Sequence, residues 1–133
     1  MVQISGKYQL TGNVNLVNFL VKSGYSEEAG KSADQLKPIL TVAANGNKVV
    51  LTVEEEGHSY VNEFVTGQEI EEKHPKGLKS KSTATFEGDK LKIVSKDLTS
   101  DKILTRIYNF SDSGLEVVLS SNGLEAKRLY KRL

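Results

Sequence analysis

From residue 46 onward, short runs rich in β-branched and aromatic residues alternate with turn signals. The turns carry Gly or Asn, as in NGN at 45–47, EGD at 87–89 and SDSG at 111–114. The runs between the turns include KVVLTVE, KLKIVSK, ILTRIYNF and LEVVLS. This even spacing predicts hairpins in an antiparallel meander of about nine strands. Closure into a barrel is the usual way in which so many antiparallel strands remove their exposed edges.

The region at about 15–37 breaks this pattern and predicts two short helices after a first strand. Its apolar residues fall at helical spacing before Gly24, and Ser26 resembles the N-cap of a second helix with acidic residues in its first turn. Pro38 ends that helix. Alternation in the first strand places its even-numbered residues on the inner face. The two helices are therefore expected to cover one end of the barrel.

Composition narrows the class of protein. The chain has 133 residues, which suits a single domain spanning residues 1–133. The formal net charge of +1 gives no global basic field that would favour nucleic acid, and the absence of cysteine excludes disulfides and thiolate sites. The start, MVQISGKYQL, has no apolar signal region, and no run approaches the roughly 18 apolar residues of a membrane span. We expect a cytoplasmic protein; whether it also enters the nucleus stays open.

Little in the sequence favours an enzyme. The two histidines, His58 and His74, lie beside predicted turns, and the chain lacks HExxH, GxSxG and phosphate-cradling motifs. The acidic runs EEE and EIEE are typical of solvated faces, with Glu55 and Glu72 as candidates for the inner face. We therefore expect no catalytic residue, no metal site and no cofactor. A barrel enzyme acting on lipids is the rival class.

Two strands place arginines on faces that alternation assigns to the interior. In EAKRLYKRL, Arg128 and Tyr130 lie opposite the lysines, and in ILTRIYNF, Arg106 shares its face with leucine, tyrosine and phenylalanine. A guanidinium keeps its proton and costs several kcal/mol to bury, so an interior arginine implies an anion partner or trapped water. Periodicity leaves two interpretations open. Either both arginines meet one shared anion, or they reach an edge or pair with Glu69 or Glu72.

Several stretches occur in an order and spacing that are specific to one family. They are ISGKY, with Ile4, Gly6 and Tyr8, the helical segment NLVNFLVKSG, then FVTGQEIEE and GDKLKIVSK, and finally Arg128, Leu129 and Tyr130 with Arg106 upstream. Through them the chain resembles the intracellular fatty-acid-binding protein family over essentially its whole length. SGKYQL, NEF and KRL are similar to the liver and bile-acid-binding branch, which generally lacks the complete pair of arginines and tyrosine. The branch therefore stays open.

The resemblance implies an all-β fold, a ten-stranded antiparallel up-and-down β-barrel (clam) capped by a helix-turn-helix lid, about 15–37, between the first two strands. It also implies a water-filled cavity for one long-chain fatty acid or a similar small lipid. Arg106, Arg128 and Tyr130 would hold the ligand carboxylate, directly or through water. For the hydrocarbon tail we expect apolar walls from Leu16, Leu20, Leu40, Val42, Leu51, Val53, Phe64, Leu91, Ile93 and Leu104.

By the same resemblance, the expected function is that of a monomeric carrier with no covalent step. A bile-salt or retinoid carrier of the same fold and a membrane-associated structural lipid-binding protein are the open alternatives. Lysines around the helices and near residues 73–81 would steer the protein to anionic membranes, although ordinary solubilising lysines follow the same pattern. These lysines are Lys22, Lys31, Lys37, Lys73, Lys76, Lys79 and Lys81.

Overall fold

The structure is a computed structural model, and it describes residues 4–55, 57–73, 79–97, 102–121 and 123–133. Within these ranges the chain forms ten β-strands and two α-helices. The order of one strand, two helices and nine further strands confirms the sequence prediction. The expected surface positions His74 and Lys76 lie outside the described residues.

No helix in the described part of the chain is long and apolar enough to cross a membrane.

The elements succeed one another with short connections, as the turn signals predict. The elements are β1 (Gly6–Val14), α1 (Leu16–Lys22), α2 (Glu27–Gln35), β2 (Ile39–Asn45), β3 (Lys48–Glu55), β4 (His58–Val65), β5 (Glu69–Lys73), β6 (Lys79–Glu87), β7 (Lys90–Asp97), β8 (Ile103–Phe110), β9 (Gly114–Ser121) and β10 (Leu124–Arg132).

The ten strands form one antiparallel sheet that curls into a nearly closed barrel. Their order is β4-β3-β2-β1-β10-β9-β8-β7-β6-β5, so β1 pairs with β10, and β4 and β5 are the two edges. The side chain of Asn62 on β4 bridges these edges. Its Nδ2 donates to the carbonyl oxygen of Lys73 at 2.9 Å, and its Oδ1 accepts from the Lys73 N–H at 2.8 Å. The amide thereby satisfies backbone groups that a neighbouring strand would otherwise satisfy.

The two helices have the termini that the sequence predicts. Ser26 caps α2, because its Oγ accepts a hydrogen bond from the N–H of Ala29 at 3.0 Å. Helix α1 ends at Lys22, and Gly24 follows with a φ of +106°, in the left-handed region that glycine adopts without a Cβ penalty.

Helix α1 packs against both α2 and β10. Its Leu16 and Phe19 are buried in the apolar core. At Gly30 of α2, a Cβ would lie 3.3 Å from Cγ1 of Val17 on α1. Glycine permits this close approach of the two helices, which offsets its low helix propensity at that position.

A β-bulge divides β1 into two halves with opposite alternation. Tyr8 and Leu10 are buried, as the even-residue prediction requires. Leu10 then pairs with Tyr130, whereas Gly12 pairs with Leu129, so one extra residue enters β1 at Thr11. Beyond the bulge, and beyond the residues that the prediction covered, the alternation changes and the odd-numbered Asn13 takes the inner face opposite Arg128.

Arg132 lies opposite Tyr8, at the end of the β1–β10 pair away from the helices. Its guanidinium lies 4.8 Å from the ring centroid of Tyr8 and donates to the carbonyl oxygens of Ser5, at 3.3 Å, and Ser111, at 3.0 Å. Sequence reasoning placed Arg132 in no role, although it shares the alternation of Arg128 and Tyr130.

We expect Gly114→Ala to lower the free energy of unfolding by about 1 to 3 kcal/mol, the usual cost of overpacking. A Cβ at Gly114 would lie 2.2 Å from the carbonyl oxygen of Tyr130, so backbone must move at the β9–β10 pair. Gly12→Ala is the matched control, because a Cβ there meets nothing within 4 Å among the described residues. Urea unfolding measures both variants, and equal stabilities would contradict the expectation.

Candidate functional site

A buried ion pair lies inside the barrel between β8 and β5. Arg106 donates from Nη2 to Oε1 of Glu72, whose residue surface is only 3% exposed. Of the two glutamates considered from the sequence, Glu72 is thus the partner of Arg106. Glu69 instead lies outside, 4.0 Å from the Nζ of Lys81. The inward orientation predicted for both Arg106 and Glu72 is confirmed.

Serine hydroxyls surround the Glu72 carboxylate. Ser82 donates to Oε1 of Glu72 at 2.7 Å, and Ser95 donates to the same oxygen at 3.3 Å. Ser95 also accepts from Nη2 of Arg106 at 3.3 Å, and Ser80 lies 3.1 Å from Ser82. A buried ion pair is tolerated when further hydrogen bonds satisfy its oxygens, and β6 and β7 supply them here. Serine is also an ordinary surface residue, so no local pattern distinguishes these three serines from exposed ones.

The Arg106 guanidinium extends this network to a tyrosine. Its Nη1 donates to the hydroxyl of Tyr108 at 3.2 Å. Burial lowers the pKa of Arg106, but the nearby Tyr108 and Glu72 outweigh burial and hold that pKa above its ordinary value. Arg106 is therefore a permanent cation. Sequence reasoning missed Tyr108 as a site residue, although its position two residues after Arg106 on the same strand face is a usable signal.

Two interior tyrosines keep their protons at neutral pH. Burial raises the pKa of Tyr108 to about 12, against a smaller opposing effect of Arg106. Burial also raises the pKa of Tyr130, although Arg128 and Arg106 both act to lower it. Both hydroxyls are consequently hydrogen-bond donors. Of these four residues, Arg106 and Tyr108 are in direct contact, through the hydrogen bond from Nη1 to the hydroxyl.

Arg106 has accessible surface although it lies deep in the molecule. Its side chain is surrounded by protein, yet 13% of that side chain is accessible to water. Its Nε is buried and has no hydrogen-bond partner in the described parts of the chain. A buried donor without a partner is rare in folded proteins. The accessible part of the Arg106 side chain is therefore not its Nε, which is enclosed by protein.

Arg128 differs from Arg106 in its surroundings. It is half-buried on the inner face of β10, and its Nε donates to Oδ1 of Asn13 at 3.0 Å. Among the residues described, no carboxylate forms an ion pair with Arg128. Tyr130 follows on the same face, and the half-buried Glu55 is close enough to act on the pKa of Tyr130. Arg128 thus lies on the inner face near the helices, held through its Nε.

The ten apolar residues predicted as walls belong to one internal apolar cluster. Seven are buried, and Leu20, Val53 and Leu104 are partly buried against the others. Sequence reasoning missed further members on the inner face of β9, although the alternation in LEVVLS marks them. These are Leu115, Val117 and Leu119.

Comparison with known proteins agrees with this architecture. A model of the lipocalin / cytosolic fatty-acid binding protein family matches residues 2–117. A fatty acid-binding protein of Tyrophagus putrescentiae is 32% identical over 133 residues, covering 99% of each chain. Fatty acid binding protein 1-B.1 of Danio rerio is 29% identical over 132 residues, again covering 99% of each chain.

Solved structures show the same fold. A Schistosoma mansoni fatty acid binding protein in complex with arachidonic acid superposes with a TM-score of 0.88 at 22% identity, covering 97% of this chain and 95% of that one. A fatty-acid-binding protein from the brain of Drosophila melanogaster gives a TM-score of 0.80 at 27% identity, covering 94% and 95%. The chain therefore belongs to the lipocalin / cytosolic fatty-acid-binding protein family.

Proposed function

We propose that this protein is a cytoplasmic, monomeric carrier that binds one long-chain fatty acid inside the barrel. The observation that carries the proposal is the half-buried Arg128, which lacks an ion-pair partner within the described residues and lies on the same face as Tyr130. Arg106 is neutralised by Glu72, so Arg128 is the guanidinium available to a ligand anion. The carrier role involves no covalent step.

Arg128 and Tyr130 together suit a carboxylate. A guanidinium presents N–H donors in a planar fork that matches two carboxylate oxygens, and such charge-assisted hydrogen bonds are stronger than neutral ones. Because burial keeps Tyr130 protonated, its hydroxyl adds a donor without adding charge. Arg106 becomes the second contact, through water or through the part of its side chain that remains accessible.

The apolar cluster supports the acyl part of the ligand. The ten wall residues lie on strands around the barrel and on α1, so a chain entering from the Arg128 region is surrounded by hydrocarbon. Each buried methylene contributes up to about 0.8 kcal/mol, so affinity should rise with chain length until the space is full. The relatives described above bear the name fatty acid-binding protein, and the Schistosoma mansoni structure contains arachidonic acid.

The lysines around the helices and near residues 73–81 give less support to membrane steering. Lys31, Lys79 and Lys81 each form an exposed ion pair with a glutamate. A paired lysine presents less net charge to an anionic membrane. The proposed role of these lysines is therefore to keep the protein soluble, and contact with membranes is transient.

We expect Arg128→Ala to weaken oleate binding by about 1.5 to 3 kcal/mol, because a charge-assisted contact is lost, and Tyr130→Phe by about 0.5 to 1.5 kcal/mol. Delipidated protein loaded with a fluorescent fatty acid is titrated with oleate and with methyl oleate. Methyl oleate should bind both variants and wild type alike.

Lys127→Ala, on the outer face beside Arg128, is the matched control. Unchanged oleate affinity in Arg128→Ala would place the head group elsewhere, and displacement by retinol or a bile salt instead of oleate would change the ligand class.

We expect Glu72→Gln to lower the free energy of unfolding of the ligand-free protein by about 3 to 5 kcal/mol, because Arg106 loses its buried counter-charge. Oleate should then raise the Tm of this variant more than that of wild type, since the ligand anion compensates part of the charge. Glu71→Gln is the control, because Glu71 has an exposed partner, Lys79. If Glu72→Gln does not fold, Ser82→Ala removes one donor to Glu72 and should cost about 1 kcal/mol. Equal ligand-induced shifts in wild type and Glu72→Gln would contradict the charge balance proposed here.

A further inference from the structure

The β1 bulge brings an amide side chain against the proposed head-group arginine. Without the bulge at Thr11, regular alternation past Leu10 would turn Asn13 to the outer face. With it, Asn13 lies opposite Arg128 on the inner face and accepts from its Nε at 3.0 Å. The Nη groups of Arg128 are left for another acceptor.

The same amide also contacts the second helix. Nδ2 of Asn13 donates to Oδ1 of Asp34, on α2, at 3.0 Å. The orientation of the amide follows from its neighbours, because an oxygen must face a guanidinium donor and an NH₂ group must face a carboxylate. An aspartate at position 13 would repel Asp34, and an alanine would contact neither group. Asparagine has the donor and the acceptor that this position requires.

A second polar contact joins the bulge to the segment that follows α2. Nζ of Lys37 donates to the carbonyl oxygen of Thr11 at 3.1 Å. Helix α2 otherwise packs on α1, with Gly30 against Val17. Movement of α2 away from the barrel therefore breaks the contact between Asp34 and Asn13, and with it one of the two hydrogen bonds that hold the Asn13 amide.

We propose that Asn13 is a positioning residue that orients Arg128 for the ligand carboxylate and couples occupation of Arg128 to the docking of α2 through Asp34. This proposal rests on the proposed function. A bound carboxylate fixes the orientation of Arg128, and Arg128 fixes the Asn13 amide through its Nε. The fixed amide then stabilises the docked position of α2 through Asp34. By thermodynamic linkage the reverse also applies, so a docked α2 raises the affinity of Arg128 for the carboxylate by the same factor.

The positioning role is tested with two ligands that differ only at the head group, oleate and oleyl alcohol. Asn13→Ala should weaken oleate binding about tenfold, because Arg128 loses the contact that orients it, and should leave oleyl alcohol unchanged. A general loosening of the barrel would weaken both ligands equally and would overturn the proposal. Asn18→Ala, at an exposed position on α1, is the control for removal of an asparagine near the helices.

The coupling is tested at Asp34, an exposed residue whose replacement leaves the core intact. Asp34→Ala should weaken oleate binding about threefold, because the bond to Asn13 is solvent-exposed, whereas Asp34→Asn retains an oxygen acceptor and should recover most of that loss. Oleate should slow hydrogen exchange in α2 of wild type and of Asp34→Asn, but not of Asp34→Ala. Equal protection by oleate in Asp34→Ala and wild type would overturn the coupling.

Arg128→Ala separates failure of this proposal from failure of the proposed function. If Arg128→Ala binds oleate like wild type, the carboxylate lies elsewhere and both proposals fail. If Arg128→Ala loses oleate affinity while Asn13→Ala keeps it, the head-group site stands and the positioning role is overturned.

Discussion

The buried ion pair between Arg106 and Glu72 is the interaction on which the interior of this barrel depends. It requires β5 and β8 to present opposite charges to the same space, and it requires hydroxyls from β6 and β7 to complete the hydrogen bonding of the carboxylate. Four adjacent strands are therefore linked by one polar network as well as by their backbone ladders. Because the pair is internally neutral, it leaves Arg128 as the cation of this neighbourhood without a paired carboxylate in the described residues. The proposed head-group site follows from that difference.

The helices and the barrel are joined at the same place where the proposed site begins. The bulge in β1 turns Asn13 inward, and Asn13 then contacts both Arg128 and Asp34. The bulge thereby allows one side chain, Asn13, to connect Arg128 to α2. At the opposite end of the β1–β10 pair the contacts are different. There the Arg132 guanidinium packs over the ring of Tyr8 and donates hydrogen bonds to backbone carbonyls. One arginine of β10 thus contacts Tyr8 and backbone carbonyls, and the other, Arg128, is the proposed contact of the ligand.

Most of the fold could be predicted from local patterns. Recurring turns and alternating strands predicted the meander, and Ser26 and Gly24 marked the helix termini where the structure has them. The predicted wall residues all fall in one apolar cluster, because inward alternation is a property of each strand by itself. The site was predicted less completely. Tyr108 and the serines around Glu72 were missed, since nothing local distinguishes an inward serine from an outward one.

By itself the sequence determined which residues share a strand face and where the helices begin and end, because both follow from periods of a few residues and from local capping. Only the tertiary structure decided which inward groups meet. Arg106 and Glu72 are 34 residues apart and Arg128 and Asn13 are 115 apart, and their contacts depend on the registers of strands that are distant in sequence. The bulge shows the physical reason most directly. After the bulge, odd-numbered residues of β1 take the inner face that even-numbered residues take before it. The position of this change is set by pairing with β10 and not by the residues of β1 alone.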